Sequence, residues 1–245
     1  MFIYIFTGIN INNLTGRIFL IPVTLGGEDY LQVIPEKVID LTKSLRYFVV
    51  EDLRSARRYL RLIDKDFPIN DSVFYELNKH TNETEIVHYL EPVLKGSDLG
   101  VMSETGMPAI ADPGAKLISL AHQKKIIVTP LSGPSSIILA LIASGLNGQH
   151  FSFNGYLPVK PTERSARLRE LEKRSREGYA QIFMETPYRN QRMLESIITT
   201  CQNDTKLCIA SDLTLPSESI RTMKISAWKK NLPRINDKLV IFVLQ

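Results

Sequence analysis

One loop decides the fold of this 245-residue chain: Ser103-Glu104-Thr105-Gly106-Met107-Pro108-Ala109-Ile110-Ala111-Asp112-Pro113-Gly114. It directly follows an apolar strand, and Asp112-Pro113 has the pattern of an N-cap with proline at the first helical position. Gly106 permits close backbone approach to a ligand, and Pro108 stiffens the turn. Ligands of open α/β sheets bind at the carboxyl ends of strands, so the loop is a candidate binding site. An ordinary Gly/Pro-rich connection between strand and helix would have the same composition.

Apolar runs and turn residues alternate outward from this loop as in an α/β protein. We predict strands at 17–21, 47–50, 98–102, 125–128, 151–156, 180–185, 206–210, 219–225 and 238–244. We predict helices at 33–41, 53–63, 137–144, 163–177 and 189–200, with a further helix starting at Asp112-Pro113. The final strands have no helices between them. This order predicts two α/β domains, with a mostly parallel sheet in 17–131 and a mixed sheet in 132–245.

The composition is that of a globular protein, with 44% hydrophobic and 23% charged residues. It excludes a mainly disordered chain and a fibrous repeat. Cys201 and Cys208 form no CxxC motif, which favours a reduced, cytoplasmic setting. No segment reaches the roughly 18 apolar residues of a membrane span. The apolar start Met1–Phe6 is too short for a secretion signal and is interpreted as an extension before the first strand.

Several common site motifs are absent from the sequence. It contains neither the dinucleotide fingerprint GxGxxG nor the phosphate loop GxxxxGK[ST], and neither HExxH nor GxSxG. The four histidines do not have the spacing of metal ligands, so no metal site is expected. A cofactor without phosphates, held by apolar contacts and backbone groups, remains compatible with this sequence.

Two segments are basic. The predicted helix at 53–63 carries arginines at i, i+3, i+4 and i+7, namely Arg54, Arg57, Arg58 and Arg61. They share one helix face without acidic residues, which favours an anion-facing surface over a solvated one. The segment 160–176 has seven basic and three acidic residues, a difference equal to the net charge of +4 of the whole chain. This local excess favours a polyanionic partner such as RNA, although mixed-charge helices are often only soluble surface.

Two further segments are candidates with ordinary alternatives. Leu131–Ser136 presents small residues and free N–H groups at a helix start, as any capped helix does. The segment 183–189 delivers the carboxylate of Glu185 at a strand end, followed by Tyr188 and Arg189. This combination can stack on or pair with a nucleotide. It equally fits a strand end followed by a helix with Pro187 at its first position.

In this order, seven segments resemble the motifs of the tetrapyrrole methylase superfamily. Within it, they look like the small-subunit ribosomal RNA ribose 2'-O-methyltransferases, and the resemblance runs from about Arg17 to the end of the chain. The segments are Pro22–Gly27, Glu51-Asp52-Leu53-Arg54, Ser103–Gly114, Gly133-Pro134-Ser135, Ala143-Ser144-Gly145-Leu146, Gly155–Lys160 and Glu185–Arg189.

The resemblance implies two α/β domains with S-adenosylmethionine in the cleft between them, usually in a homodimer. It implies methylation of a ribose 2'-hydroxyl in 16S ribosomal RNA, either free or in the small ribosomal subunit. The cofactor site would comprise Glu104, Thr105, Gly106, Met107, Pro108, Ala109, Ser135, Ser136 and Met184. The RNA side would comprise Pro22, Gly26, Glu51, Asp52, Arg54, Arg57, Arg58, Tyr188 and Arg189. Glu104 or Glu185 would accept the proton of the hydroxyl.

The chain departs from the family pattern at several positions. Glu104 replaces an aspartate, Thr105 an alanine, Met107 a threonine and Tyr188 a histidine. Typical ribosomal RNA members also carry a further C-terminal helical segment. These differences concern the acceptor more than the cofactor. Two alternatives therefore stay open, namely methylation of a tetrapyrrole, and a non-catalytic RNA-binding assembly factor that retains the cofactor-shaped cleft.

Overall fold

The computed structural model describes residues 15–245, except for the side chain of Glu83. The apolar start discussed above, Met1–Phe6, lies outside the described residues. Across 15–245, no helix combines the length and the apolar character needed to cross a membrane. The chain divides into two compact units. Unit 1 holds the described residues up to Val23 together with Ile34–Gly133, and unit 2 holds Thr24–Val33 together with Pro134–Gln245.

Unit 1 is built on a five-stranded sheet of order β3-β2-β4-β1-β5, in which every neighbouring pair is parallel. Its strands are β1 (Arg17–Ile21), β2 (Tyr47–Val50), β3 (Val73–Glu76), β4 (Leu99–Met102) and β5 (Ile127–Pro130). Its helices are α1 (Glu36–Ser44), α2 (Leu53–Ile63), α3 (Glu83–Tyr89), α4 (Glu91–Leu94) and α5 (Gly114–Gln123), with a 3-10 turn at Ile69–Asp71. All four residues of β4 are buried, as the apolar sequence of a central parallel strand predicts.

Helix α2 shows how the sequence sets a boundary in unit 1. The side chain of Asp52 caps it by accepting a hydrogen bond from the backbone N–H of Ser55 at 2.6 Å. Its buried face is formed by Ala56, Tyr59, Leu60 and Ile63, and its arginines lie on the other side. The two boundaries match the sequence prediction.

Three predictions for unit 1 need correction. Helix α5 begins at Gly114 rather than at Pro113, because the Asp112 side chain accepts the N–H of Gly114 and the helix starts one residue later. The strand predicted at 125–128 lies at Ile127–Pro130, because Lys125 has a left-handed φ of 57° that an extended strand does not permit. The helix predicted at 33–41 is Glu36–Ser44, preceded by Pro35.

Unit 2 has a mixed sheet of order β6-β7-β10-β8-β9, which confirms the prediction. Only β6 and β7 pair in parallel within it. The strands are β6 (Phe151–Tyr156), β7 (Ala180–Met184), β8 (Lys206–Ser211), β9 (Ser219–Lys224) and β10 (Val240–Leu244). The helices are α6 (Ser136–Ser144), α7 (Pro161–Arg176), α8 (Asn190–Thr200) and α9 (Ile225–Trp228), with 3-10 turns at Tyr30–Gln32 and Pro187–Arg189.

Two features organise unit 2. All five residues of β10 are buried, and the strand lies at the centre of the sheet between β7 and β8. Gly145 ends α6 in the left-handed conformation with a φ of 68°, which glycine adopts without steric cost. The sequence therefore marks the end of this helix correctly.

Candidate active site

The loop after β4 is fixed by hydrogen bonds along its whole length. The backbone N–H of Glu104 donates to Glu51 Oε2 at 3.0 Å, and the N–H of Val23 donates to the Gly106 carbonyl at 2.9 Å. The N–H of Ala109 donates to Asp112 Oδ2 at 2.7 Å. These bonds connect the loop to the segments that follow β1 and β2, which flank β4 in the sheet. The three adjacent carboxyl ends thus form one built edge of unit 1.

The second half of this loop has an unusual backbone. Ala109 and Ala111 have φ values of 66° and 62°, and Gly106 has 71°. The left-handed region is unfavourable for alanine, so neighbouring groups must hold these residues there. The Asp112 carboxylate does so at Ala109, since its two oxygens accept the N–H groups of Ala109 and Gly114, both at 2.7 Å. Asp112 is therefore a clamp on the loop as well as the residue before α5.

The electrostatic character of this edge is negative. Burial raises the pKa of Glu51, and the nearby charges of Asp112 and Glu104 raise it further, while the hydrogen bond from the Glu104 backbone lowers it. Burial likewise raises the pKa of Asp112. Glu51, Asp112 and Pro108 line a small concavity at the ends of β2 and β4. The edge therefore favours a cationic group over an anionic one.

The carboxylate of Glu104 differs from these two. The residue is exposed, and its side chain makes no hydrogen bond or salt bridge to any part of the chain that is described. Thr105 is exposed next to it, and its carbonyl accepts a hydrogen bond from the Ser103 hydroxyl at 3.2 Å. The loop thus presents an available carboxylate and hydroxyl to solvent. No group of three His, Cys, Asp or Glu side chains suited to a metal ion occurs in residues 15–245.

In unit 2, the predicted site residues occupy a helix start and a strand end. The Ser135 side chain caps α6 by accepting the N–H of Ile138 at 3.5 Å, and Ser136 is the first residue of that helix. Met184, half-buried, ends β7. Tyr188 is 69% exposed, and the Arg189 guanidinium carbon lies 5.4 Å from the centre of its ring.

Glu185 is in a different situation from Glu104. Its side chain is 1% exposed and forms a salt bridge with Arg189 at 2.7 Å. The same Oε1 accepts the backbone N–H of Thr186, also at 2.7 Å. A carboxylate with these partners orients Arg189 and the turn that follows β7.

Sequence reasoning missed an acidic residue at the same edge of the unit 2 sheet. Asp212 follows β8, is buried, and has a left-handed φ of 52°. Its Oδ2 lies 2.5 Å from Lys238 Nζ and 2.9 Å from the Ser217 hydroxyl. Burial opposes its ionisation, but the hydrogen bonds from Lys238 and Ser217 outweigh that effect, and the pKa of Asp212 is lowered. Its position directly after a buried apolar strand was the available signal.

The loop predicted at Pro22–Gly27 is divided between the units. Pro22 and Val23 belong to unit 1, where Pro22 packs tightly against Gly133. Gly26 belongs to unit 2 and is exposed, with a φ of 136° beside Leu215 and Leu239. Glycine is required there, because other residues rarely adopt this backbone conformation.

The four arginines of α2 form one exposed surface, here called the arginine face (Arg54, Arg57, Arg58 and Arg61). None of them makes a salt bridge with a described residue of the chain. Asp52, at the start of the helix, is the acidic residue near Arg54 and Arg58, and the two cations contribute to lowering its pKa after the hydrogen bond from Ser55. The arginine face keeps its charge available.

The second basic segment makes many contacts within unit 2. On α7, Arg164 is buried and donates to the Ser196 hydroxyl and the Val159 carbonyl. Four more of the seven basic residues have acidic partners, in the pairs Lys160–Glu163, Arg167–Glu170, Arg174–Glu170 and Arg176–Asp204. Most of these side chains therefore have partners within unit 2. The pairs with Glu163 and Glu170 use acids already counted in the segment, so most of its excess positive charge remains, and an RNA surface there stays a prediction.

Comparison with known proteins agrees with this arrangement. The sequence model of the Tetrapyrrole (Corrin/Porphyrin) Methylases matches residues 17–228. The ribosomal RNA small subunit methyltransferase I of Vibrio cholerae is 31% identical over 85% of this chain and 69% of its own length. The protein of the same name from Escherichia coli O157:H7 is 28% identical over 95% of this chain and 79% of its own.

Solved structures show the same fold. The methyltransferase CobJ superposes with a TM-score of 0.63 at 18% identity, over 94% of each chain. The uroporphyrin-III-C-methyltransferase of Thermus thermophilus superposes with a TM-score of 0.53 at 14% identity, over 94% of this chain and 91% of its own. The motif order, the two sheets and the similarity to these proteins lead to one conclusion: this chain is a methyltransferase of the tetrapyrrole (corrin/porphyrin) methylase family.

Proposed function

We propose that this chain transfers the methyl group of S-adenosylmethionine to a ribose 2'-hydroxyl of 16S ribosomal RNA. Its similarity to curated ribosomal RNA methyltransferases over most of its length supports this function. One structural observation favours RNA over other acceptors. The arginine face begins three residues after Glu51, in the same unit as the candidate loop, and none of its cations forms a salt bridge with a described residue. Arginines without salt bridges on one helix face suit the phosphates of a nucleic acid.

The residues present fit the cofactor. S-adenosylmethionine supplies a methyl group on a positively charged sulfur. The edge formed by Glu51, Glu104 and Asp112 is negative, and buried Gly106 gives the loop a backbone that other residues rarely adopt. We propose that Glu104–Ala109, Ser135, Ser136 and Met184 hold the cofactor, with shape and carboxylates in place of a phosphate cradle.

The reaction requires alignment and a proton acceptor. The ribose oxygen forms the new bond to the methyl carbon while the bond between that carbon and sulfur breaks, and the hydroxyl proton leaves. Holding the oxygen in line behind the methyl group is the main contribution of the protein. We propose that Glu104 accepts the proton, because its carboxylate is exposed and uses no hydrogen bond within the described chain.

Glu185 is proposed as a positioning residue. Its carboxylate is committed to Arg189 and Thr186, so it holds Arg189 at the end of β7. We propose that Arg189 and the exposed Tyr188 then contact the RNA, together with Pro22, Gly26 and the arginine face.

The proposal includes a homodimer in the cytoplasm. Helix α6 carries exposed apolar side chains, with Ile138 at 45% and Ile142 at 70% exposure, which support burial of this face against a second copy. Cys201 and Cys208 are buried and free, which supports a reducing compartment.

The decisive experiment uses labelled S-adenosylmethionine and two preparations of small ribosomal subunits. One comes from a strain that lacks this gene, and the other from the wild type. We expect label to enter the RNA of the first preparation only, at a ribose 2'-oxygen located by mapping. Cofactor binding by calorimetry without any label in RNA would overturn the proposal. Label in a tetrapyrrole instead would show that the chain methylates tetrapyrroles.

A further inference from the structure

Arg57 differs from the other members of the arginine face in what lies beneath it. Its guanidinium carbon lies 5.5 Å from the centre of the Phe74 ring, within the range of a cation–π interaction. Phe74 is a half-buried residue of the edge strand β3. It stacks on the fully buried Phe48, with ring centres 5.4 Å apart and planes inclined by 17°. The guanidinium of Arg57 is therefore supported by an aromatic column rooted in the core of unit 1.

This support has a chemical consequence. A guanidinium is planar, and attraction to an aromatic ring on one side restricts where the group lies. Arg57 is exposed and makes no hydrogen bond or salt bridge with the described chain, so the rest of the group is available to a ligand. Arginine planes of this kind receive unpaired bases in RNA recognition. A base inside a duplex is already stacked on its neighbours and does not offer its plane.

The surrounding charges complete the surface. Arg54, Arg58 and Arg61 lie on the same exposed face of α2. The span from Arg54 to Arg61 is about 10 Å at 1.5 Å per residue, so the three flank Arg57 closely. A stacking position among cations matches a single strand, whose backbone follows the charges while one base stacks.

We infer that the arginine face binds single-stranded RNA, with one unpaired base stacked on the Arg57 guanidinium over Phe74. This deepens the proposed function and rests on it for the identity of the nucleic acid. The three remaining arginines hold phosphates and give affinity without sequence preference, whereas Arg57 selects unpaired over paired RNA.

The test measures binding by fluorescence anisotropy, without cofactor, over a series of salt concentrations. The probes are a labelled RNA 12-mer of mixed sequence and the same strand paired with its complement. The variants are Arg57→Lys, which keeps the charge and removes the plane, and Arg61→Lys, a matched control on the same face without an aromatic partner. Phe74→Leu removes the support, and thermal melting checks its folding.

We expect the wild type to prefer the single strand. Arg57→Lys should weaken single-strand binding about five-fold or more, as loss of one stacked base does, with an unchanged salt slope and unchanged duplex binding. Arg61→Lys should stay within about two-fold of the wild type, since it keeps a phosphate contact. Equal affinity for strand and duplex, or equal effects of the two lysine variants, would overturn the inference. So would full displacement of the RNA by polyaspartate of equal charge.

Failure of this inference and failure of the proposed function give different results. If methyl label enters small-subunit RNA while Arg57→Lys behaves as Arg61→Lys does, the activity stands and the stacking position is wrong. If the single-strand preference depends on Arg57 and no label enters the subunits, the surface stands and the substrate is another RNA.

Discussion

Glu51 Oε2 accepts a hydrogen bond from the backbone N–H of Glu104 at 3.0 Å, although 53 positions separate the two residues in sequence. The bond joins the ends of two adjacent parallel strands, β2 and β4. It places a half-buried carboxylate directly beneath the loop that carries the candidate proton acceptor. Glu51 thus holds the start of this loop by a hydrogen bond from the end of the neighbouring strand.

Replacing Glu51 with glutamine should change how stability depends on pH. Burial raises the pKa of Glu51 in the folded protein, so its favourable contribution is complete at low pH and is lost as pH rises through the folded-state pKa. Glutamine does not titrate, so the variant does not lose stability in this way. Thermal melting from pH 4 to pH 7 should therefore show Glu51→Gln gaining stability relative to the wild type as pH rises. Melting temperatures that change in parallel with pH in the two proteins would contradict the raised pKa of Glu51. Glu36→Gln, a change at an exposed residue in the first turn of α1, is the control.

Replacing Asp112 with asparagine should loosen the loop. The two backbone N–H groups held by its carboxylate oxygens need two acceptors, and an asparagine side chain offers one. We expect a loss of about 1–2 kcal/mol in the free energy of unfolding by urea, together with weaker cofactor binding by calorimetry. Asp66→Asn, at an exposed aspartate, is the matched control. An Asp112→Asn protein that binds cofactor as the wild type does would show that the clamp is dispensable.

Glutamine at Glu104 and at Glu185 should produce opposite kinds of defect. Glu104→Gln removes the proposed proton acceptor, so kcat should fall about 100-fold or more while stability and RNA affinity stay unchanged. Glu185→Gln leaves Arg189 without its buried partner, and should cost about 2–3 kcal/mol of stability, less than a fully buried pair because the Arg189 side chain is 26% exposed. Single-turnover kinetics and urea unfolding separate the two. A loss of stability in Glu104→Gln together with a fall in kcat alone in Glu185→Gln would reverse the proposed roles.

Replacing both Arg57 and Arg58 with alanine should weaken RNA binding and flatten its salt dependence. Each lost phosphate contact lowers the slope of log affinity against log salt by about 0.7–0.9. Arg169 and Lys173 on α7 are also exposed, and their double alanine variant is the matched control. A slope equal to that of the wild type would remove the arginine face from the RNA site.

Alanine at Gly133 should destabilise unit 1. A Cβ atom there would lie 2.2 Å from Cβ of Pro22, whose ring has little freedom to move. We expect a loss of about 1–3 kcal/mol in the free energy of unfolding by urea, as for other overpacked sites. Gly148 has no heavy atom within 4 Å of the corresponding position, and Gly148→Ala is the control. Equal stabilities of the two variants would show that the segment after β1 adapts freely.

The elements that the sequence predicts well are those with strong local signals. Helix α2 has a capping aspartate and a clear apolar face, and the loop after β4 combines a motif with a buried strand. Strand β3 was missed because Val73–Glu76 is short, lies at the sheet edge and has no buried residue. Its existence depends on pairing with β2, which local sequence does not report.

In the candidate site too, the sequence predicts features with local signals and misses those that depend on tertiary contacts. Residue types and spacing identified the arginine face, but the seven basic charges in 160–176 gave no sign of their partners. Arg167 bonds to Asn154 and Arg176 to Gln202, and these contacts come from tertiary structure. The support of Arg57 by Phe74 is of the same kind, because it requires the strand that the sequence did not reveal.

The central place of β10 has a consequence for biosynthesis. Unit 1 can assemble once residues up to Gly133 have emerged from the ribosome, whereas the gap between β7 and β8 is filled only by Val240–Leu244. From the end of β8 at Ser211 to Leu244, translation at about 5–20 residues per second makes that delay roughly 2–7 s. During this interval two strands of unit 2 have unpaired backbone groups that attract other extended chains. During this period, chaperones and other extended chains compete for the unpaired edges of β7 and β8.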